Sequence, residues 1–139
     1  MKKVPPSSSV SSHPSNEYNG RILMVDDEPG IVPSFVPVLE EYGFIVDKYD
    51  DPTIALSDFR TELYDLLLIE IRLPSMDGFE LYDKIRKMDK RIKVCFMSTG
   101  NMNYLALREH YPGSEIDCII QKPIEISRLL GRIKTELEQ

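Results

Sequence analysis

Four places along this 139-residue chain carry side chains that could do chemistry together. Asp26 and Asp27 follow the apolar run Arg21 to Val25, and Glu28 and Pro29 come next. Glu70 interrupts the otherwise apolar run Leu66 to Ile71. Ser98 and Thr99 follow Ile92 to Met97, and Lys122 follows Ile116 to Ile120. Clustered carboxylates want a hard cation such as Mg²⁺, which takes oxygen ligands and keeps waters. A lysine beside it is a point charge suited to a phosphoryl oxygen or a carboxylate. A serine hydroxyl adds a hydrogen bond. Such a set suits a phosphoryl group held between metal, lysine and hydroxyl.

The elements between these residues decide whether they meet. Leu66 to Ile71 reads as a strand buried on both faces, as in a parallel sheet, and Pro74 ends it. Asp77-Gly78 marks a helix start, and Phe79, Tyr82 and Ile85 carry that helix to about Lys90. Before them, Arg21 to Val25 is a short strand. A helix opens after Pro29, with Ile31, Phe35, Val38, Leu39 and Tyr42 at helical spacing, and stops at Gly43. Pro37 inside it should kink it, at about 3 kcal/mol. Phe44 to Tyr49 is a second strand. Asp51-Pro52 starts a helix to about Thr61 with Ile54, Ala55 and Phe59 inward. Ile92 to Met97 and Ile116 to Ile120 are the last two strands. Asn101 to about His110 reads as a short helix, Tyr111 to Ser114 as loop, and Ile126 to Leu137 as a clean amphipathic helix. Strand and helix alternate five times, which implies a parallel sheet with right-handed crossovers. Every strand then ends on one edge, and Asp26, Asp27, Glu70, Ser98 and Lys122 gather there, where open α/β sheets bind ligands.

Composition narrows the class. Hydrophobic residues are 42% and charged residues 29%, the balance of a soluble domain. Residues 1–19, rich in Ser and Pro, cannot bury enough surface to order themselves and read as a disordered arm before a domain over 20–139. The net charge is −6, with −7 outside the arm, which argues against non-specific nucleic-acid binding but not against a basic protein partner. No apolar run approaches the ~18 residues of a membrane span, and the start of the chain has no signal-peptide pattern. Cys95 and Cys118 lie in apolar runs without metal-binding spacing and read as two buried free thiols. That reading points to a reducing, cytoplasmic setting. His13 and His110 have no partner pattern.

At Val25-Asp26-Asp27-Glu28-Pro29, Leu73-Pro74-Ser75-Met76-Asp77-Gly78, Ser98 and Lys122-Pro123, the chain resembles the receiver domain of two-component response regulators. The resemblance covers about Gly20 to Glu138. It implies a doubly wound, flavodoxin-like (βα)5 fold with strand order 2-1-3-4-5. It also implies that Asp26 and Asp27 hold Mg²⁺ with the backbone carbonyl of Arg72. Lys122 is then the phosphate-contacting lysine, with a cis bond into Pro123, and Ser98 the hydroxyl that follows the phosphoryl group. The implied partners are a sensor histidine kinase or phosphotransfer protein and a downstream protein target.

Two departures stand out. The family's phosphoacceptor is an aspartate, and this chain has Glu70 there. The switch position three residues before the lysine is usually Tyr or Phe, and here it is Ile119. The stretch Tyr111 to Asp117 also lacks the family's Gly-Ala start. Glu70 admits a natural loss of the acceptor, a mimic of the phosphorylated state, or slow residual acceptor chemistry. With nothing following Gln139, the expectation is a stand-alone receiver that is not an enzyme. The alternatives are a Mg²⁺-dependent phosphohydrolase with Asp26 or Asp27 as nucleophile, and a structural adaptor with a relic pocket. Taken singly, Asp26 and Asp27 would suit a solvated helix start, and Lys122 the surface end of a strand.

Overall fold

Leu66 to Glu70 is buried along its whole length, as an interior strand of a parallel sheet must be. It is β3 of a computed structural model that describes residues 20–99 and 118–138. In chain order the elements are β1 (Gly20–Val25), α1 (Ile31–Glu41), β2 (Phe44–Tyr49), α2 (Pro52–Asp58), β3 (Leu66–Glu70), α3 (Gly78–Met88), β4 (Lys93–Thr99), β5 (Ile119–Lys122) and α4 (Ile126–Leu137). The strands form one sheet in the order β2-β1-β3-β4-β5, with every neighbouring pair parallel. This is the expected doubly wound topology, with both sheet faces covered.

Alternation along the strands sorts the core into two layers. Ile22, Met24, Leu66 and Leu68 pack with Phe35 and Leu39 of α1 and Leu129 and Ile133 of α4. Leu23, Val25, Leu67 and Ile69 pack with Ala55 of α2 and Leu81, Tyr82 and Ile85 of α3. Helix α1 runs through Pro37, and Gly43 follows it with φ 99°. That is the left-handed region which glycine adopts without steric cost. Asp51 caps α2 by accepting from the Thr53 amide at 2.8 Å, with Pro52 in the first turn.

Several expectations are corrected. Ile54 is not inward but 51% exposed. Pro52 and Ala55, three residues apart, set the buried face of α2, and Ile54 lies one residue, or about 100°, away from Ala55. Helix α2 also ends at Asp58 rather than Thr61, because Phe59 is already extended. Strand β4 continues through Ser98 and Thr99, and Lys122 is the last residue of β5 rather than the residue after it. Cys95 and Cys118 are buried but not free: they form a disulfide, and the inference of a reducing setting loses its basis. Their flanking residues carry no sign of this, because the pairing depends on strand order. The arm over residues 1–19, the helix from Asn101 and the loop up to Asp117 lie outside the described residues. Among the described residues no helix is long and apolar enough to cross a membrane.

The start of α3 fixes the end of β3. Asp77 caps the helix by accepting from the Glu80 amide at 2.9 Å, and the Gly78 amide donates to the Ile71 carbonyl at 2.7 Å. A Cβ on Gly78 would lie 2.5 Å from the Glu70 carbonyl oxygen and 2.9 Å from the Ile71 Cα. Both are backbone atoms, so no side-chain rotation relieves the clash. Gly78→Ala is therefore expected to cost about 1–3 kcal/mol, the usual range for overpacking. Urea denaturation reads this directly. An unchanged midpoint would mean that α3 moves away freely.

Candidate functional site

Each acidic residue reaches the sheet edge for a local reason. Asp26 is the first residue past β1. Its amide donates to the Tyr49 carbonyl at 3.1 Å, which extends the β1–β2 ladder. Its Oδ1 accepts from the Glu28 amide at 2.8 Å and turns the chain. That turn brings the Glu28 side chain back over the sheet edge. Glu70 ends β3, and its Oε2 accepts from the Arg72 amide at 3.0 Å. Asp26 and Glu70 are 1% and 3% exposed, so both need a counter-charge.

Lys122 supplies it. Its Nζ lies 2.6 Å from Glu70 Oε1, 2.8 Å from Asp26 Oδ2 and 2.9 Å from Glu28 Oε1. Glu70 and Lys122 thus pair directly, and two further carboxylates share the ammonium. Burial alone would push the Lys122 pKa down. The hydrogen bonds to Asp26, Glu28 and Glu70 outweigh it, and the pKa is held above the ordinary lysine value. The ammonium is therefore charged at neutral pH, and three carboxylates against one ammonium leave the cluster net negative by two.

Oxygens of Asp26, Glu28 and Glu70 all lie within 4.8 Å of one another. An all-oxygen set with residual negative charge suits a hard divalent cation. The residue absent from the expected set is Glu28. It is visible in the sequence as the third acid of the Asp26-Asp27-Glu28 run, and only the turn made by Asp26 shows which of the three converge. Asp27 is exposed and stands apart from the three. With Asp26, Glu28, Asp50 and Asp51 it lines a cavity of about 460 Å³ on the β2 side of β1.

The remaining expected residues take places around this cluster. Ser98 is buried, and its strand neighbour Met97 is in register with Glu70. Thr99 is in register with Lys122. The Lys122–Pro123 bond is cis, as the resemblance implies. Ile119 is half-buried at the start of β5. Its carbonyl accepts from Arg132 of α4 at 3.3 Å.

Comparison with known proteins agrees with this fold. The family model described as response regulator receiver domain matches residues 22–134. The transcriptional regulatory protein DltR of Streptococcus agalactiae is 30% identical over 119 residues, covering 86% of this chain and 52% of that protein. The response regulator receiver protein CpdR of Brucella abortus is 29% identical over 117 residues, covering 84% of this chain and 96% of its own length. The chain spans about half the length of DltR and of several other curated relatives it matches. Among solved structures, a CheY-like receiver domain protein from Methanospirillum hungatei superposes with TM-score 0.76 at 29% identity, covering 87% of this chain and 95% of that one. The non-phosphorylated HemR receiver domain from Leptospira biflexa gives 0.74 at 26% identity, over 86% and 94%. Fold, edge cluster and sequence match converge, and the chain belongs to the response regulator receiver domain family of two-component signalling.

Proposed function

We propose that this chain is a receiver in which Glu70 takes the phosphoacceptor position and replaces the phosphorylation switch with a standing ion pair. The observation that carries this reading is the 2.6 Å contact between Glu70 and Lys122. Glutamate places its carboxylate one CH₂ further out than aspartate would, towards where phosphoryl oxygens would lie. There it already engages the lysine that a phosphoryl group would need. A reactive group displaced by ~1 Å can lose about a hundredfold in rate, so acceptor chemistry is suppressed. The glutamate carries one negative charge against roughly two for a phosphate, so mimicry of the phosphorylated state is partial.

In this reading the chain is a signalling module rather than an enzyme, and it acts through a protein partner. Its upstream partner would be a sensor kinase or phosphotransfer protein whose signal reaches it by binding. Its acidic body disfavours direct nucleic-acid contact. Of the two candidate nucleophiles of the phosphohydrolase alternative, Asp26 is tied to Lys122 and to the Glu28 amide, and Asp27 is exposed and stands apart from the acidic cluster.

Asp26, Glu28 and Glu70 would hold Mg²⁺, with Asp27 and the Arg72 carbonyl at the margin of the site. When bound, the ion would neutralise the remaining carboxylate charge and draw an anionic ligand to the edge. Titrating the protein with Mg²⁺ and following backbone amide shifts tests the metal site. Shifts at Asp26, Glu28 and Arg72 that saturate in the millimolar range are expected. A silent titration at these amides would remove the metal from the account.

A further inference from the structure

The Cys95–Cys118 bond lies outside the acidic cluster, yet it is built into the same strand pair that carries Lys122. Cys95 is in β4, and Cys118 directly precedes β5. The ladder begins with Phe96 opposite Ile119, so the two cysteines face one another across neighbouring parallel strands. Their Cα atoms are 4.6 Å apart, within the span a disulfide bridges. Both are at most 1% exposed, on the face covered by α4. Among the described residues β5 pairs only with β4, through four residue pairs. A strand so short, held on one side, depends on whatever else anchors it. The disulfide anchors its start, and Lys122, at its end, anchors it to Asp26, Glu28 and Glu70.

We propose that Cys95 and Cys118 form a reversible thiol–disulfide element that sets how firmly β5, and with it Lys122, is held at the site. A dithiol can serve as the reductant. One of its thiolates attacks a cysteine sulfur, the Cys95–Cys118 bond breaks, and a mixed disulfide forms. The second thiol then displaces the released cysteine. Two protons and two electrons pass to Cys95 and Cys118, and the dithiol leaves as a disulfide. Oxidation is the reverse exchange with a disulfide such as glutathione disulfide, which leaves as two thiols. A carboxylate oxygen of Glu136 in α4 lies within 4.8 Å of both sulfurs. Burial blocks direct attack, so exchange proceeds through opening of the β5 edge. The element therefore responds to a sustained change in thiol conditions rather than to a brief one. By reciprocity, whatever tightens Lys122 in the cluster also protects the bond.

The test uses the full chain in two states, incubated with glutathione disulfide or with a dithiol, and then alkylated in denaturant. Intact mass should show no alkylation in the first state and two alkylated cysteines in the second. Native hydrogen exchange should then be at least tenfold faster at the β5 amides of the reduced protein, with β1 and β3 amides unchanged. A Cys95→Ala/Cys118→Ala variant should exchange like the reduced protein and ignore both reagents. Two alkylated cysteines after the oxidising incubation, or equal β5 exchange in the two states, would overturn the proposal. Neither readout depends on Glu70 being a phosphoacceptor substitute, so its failure is separable from that of the proposed function. Only the consequence for Lys122 at the site rests on that reading.

Discussion

Lys122→Met is expected to lower stability by about 3–5 kcal/mol, the range for removing one partner of a buried ion pair. Methionine keeps most of the side chain's length and packing but removes the positive charge that faces three carboxylates. Glu28, with 44% of its side chain exposed, can turn to solvent. Asp26 and Glu70 have side chains 0% and 4% exposed and cannot. The destabilisation should therefore come from these two. Adding Glu70→Gln to Lys122→Met should recover part of the loss, because an amide needs no counter-charge. Millimolar Mg²⁺ should also stabilise the Lys122→Met protein more than the parent, since a ligand that binds only the native state raises its stability. Urea denaturation of the parent and the two variants, with and without Mg²⁺, checks this. A loss below about 1 kcal/mol for Lys122→Met would mean that the cluster is hydrated rather than buried.

The pH dependence of the same pair has a definite sign. The folded-state pKa of Lys122 is raised above the ordinary 10.5. A group raised in this way contributes its stability fully below the unfolded value, and the contribution fades as pH rises through the folded one. The stability difference between the parent and Lys122→Met should thus stay flat from about pH 7 to 9 and shrink only in strong alkali.

What is legible in the sequence, and what is not, follows from how local each signal is. The apolar run before Glu70 and the alternation of strand and helix are local, and they lead directly to a parallel sheet, whereas its strand order comes from the resemblance to receiver domains. Asp51-Pro52 and Asp77-Gly78 each carry a cap within a few residues, and both start helices where expected. Ile54 goes to the wrong face in a reading by pattern because a seven-residue helix offers too few positions to fix its inward side. Glu28 escapes such a reading because its convergence with Glu70 depends on the turn that Asp26 makes with its own side chain. Cys95 and Cys118 are 23 residues apart, and only the pairing of β4 with β5 brings them together. The Glu70–Lys122 pair is within reach because topology alone brings the two strand ends to one edge.

Placing aspartate at position 70 should produce the largest functional change. Glu70→Asp draws the carboxylate back by one CH₂, away from Lys122 and, under the proposed assignment, into the place from which a receiver's acceptor attacks phosphorus. With a small donor such as acetyl phosphate, an oxygen of the shortened carboxylate would form the new P–O bond while acetate leaves. Lys122, now less tightly held, would be available to the phosphoryl oxygens. The rate should rise by about two orders of magnitude or more over the parent, in line with what a ~1 Å displacement costs. The direct measurement is intact-mass analysis of the parent and the Glu70→Asp protein after incubation with acetyl phosphate and Mg²⁺. A single phosphoryl adduct on Glu70→Asp and none on the parent is the predicted result, and equal labelling of the two proteins would contradict the assignment of Glu70 to the acceptor position.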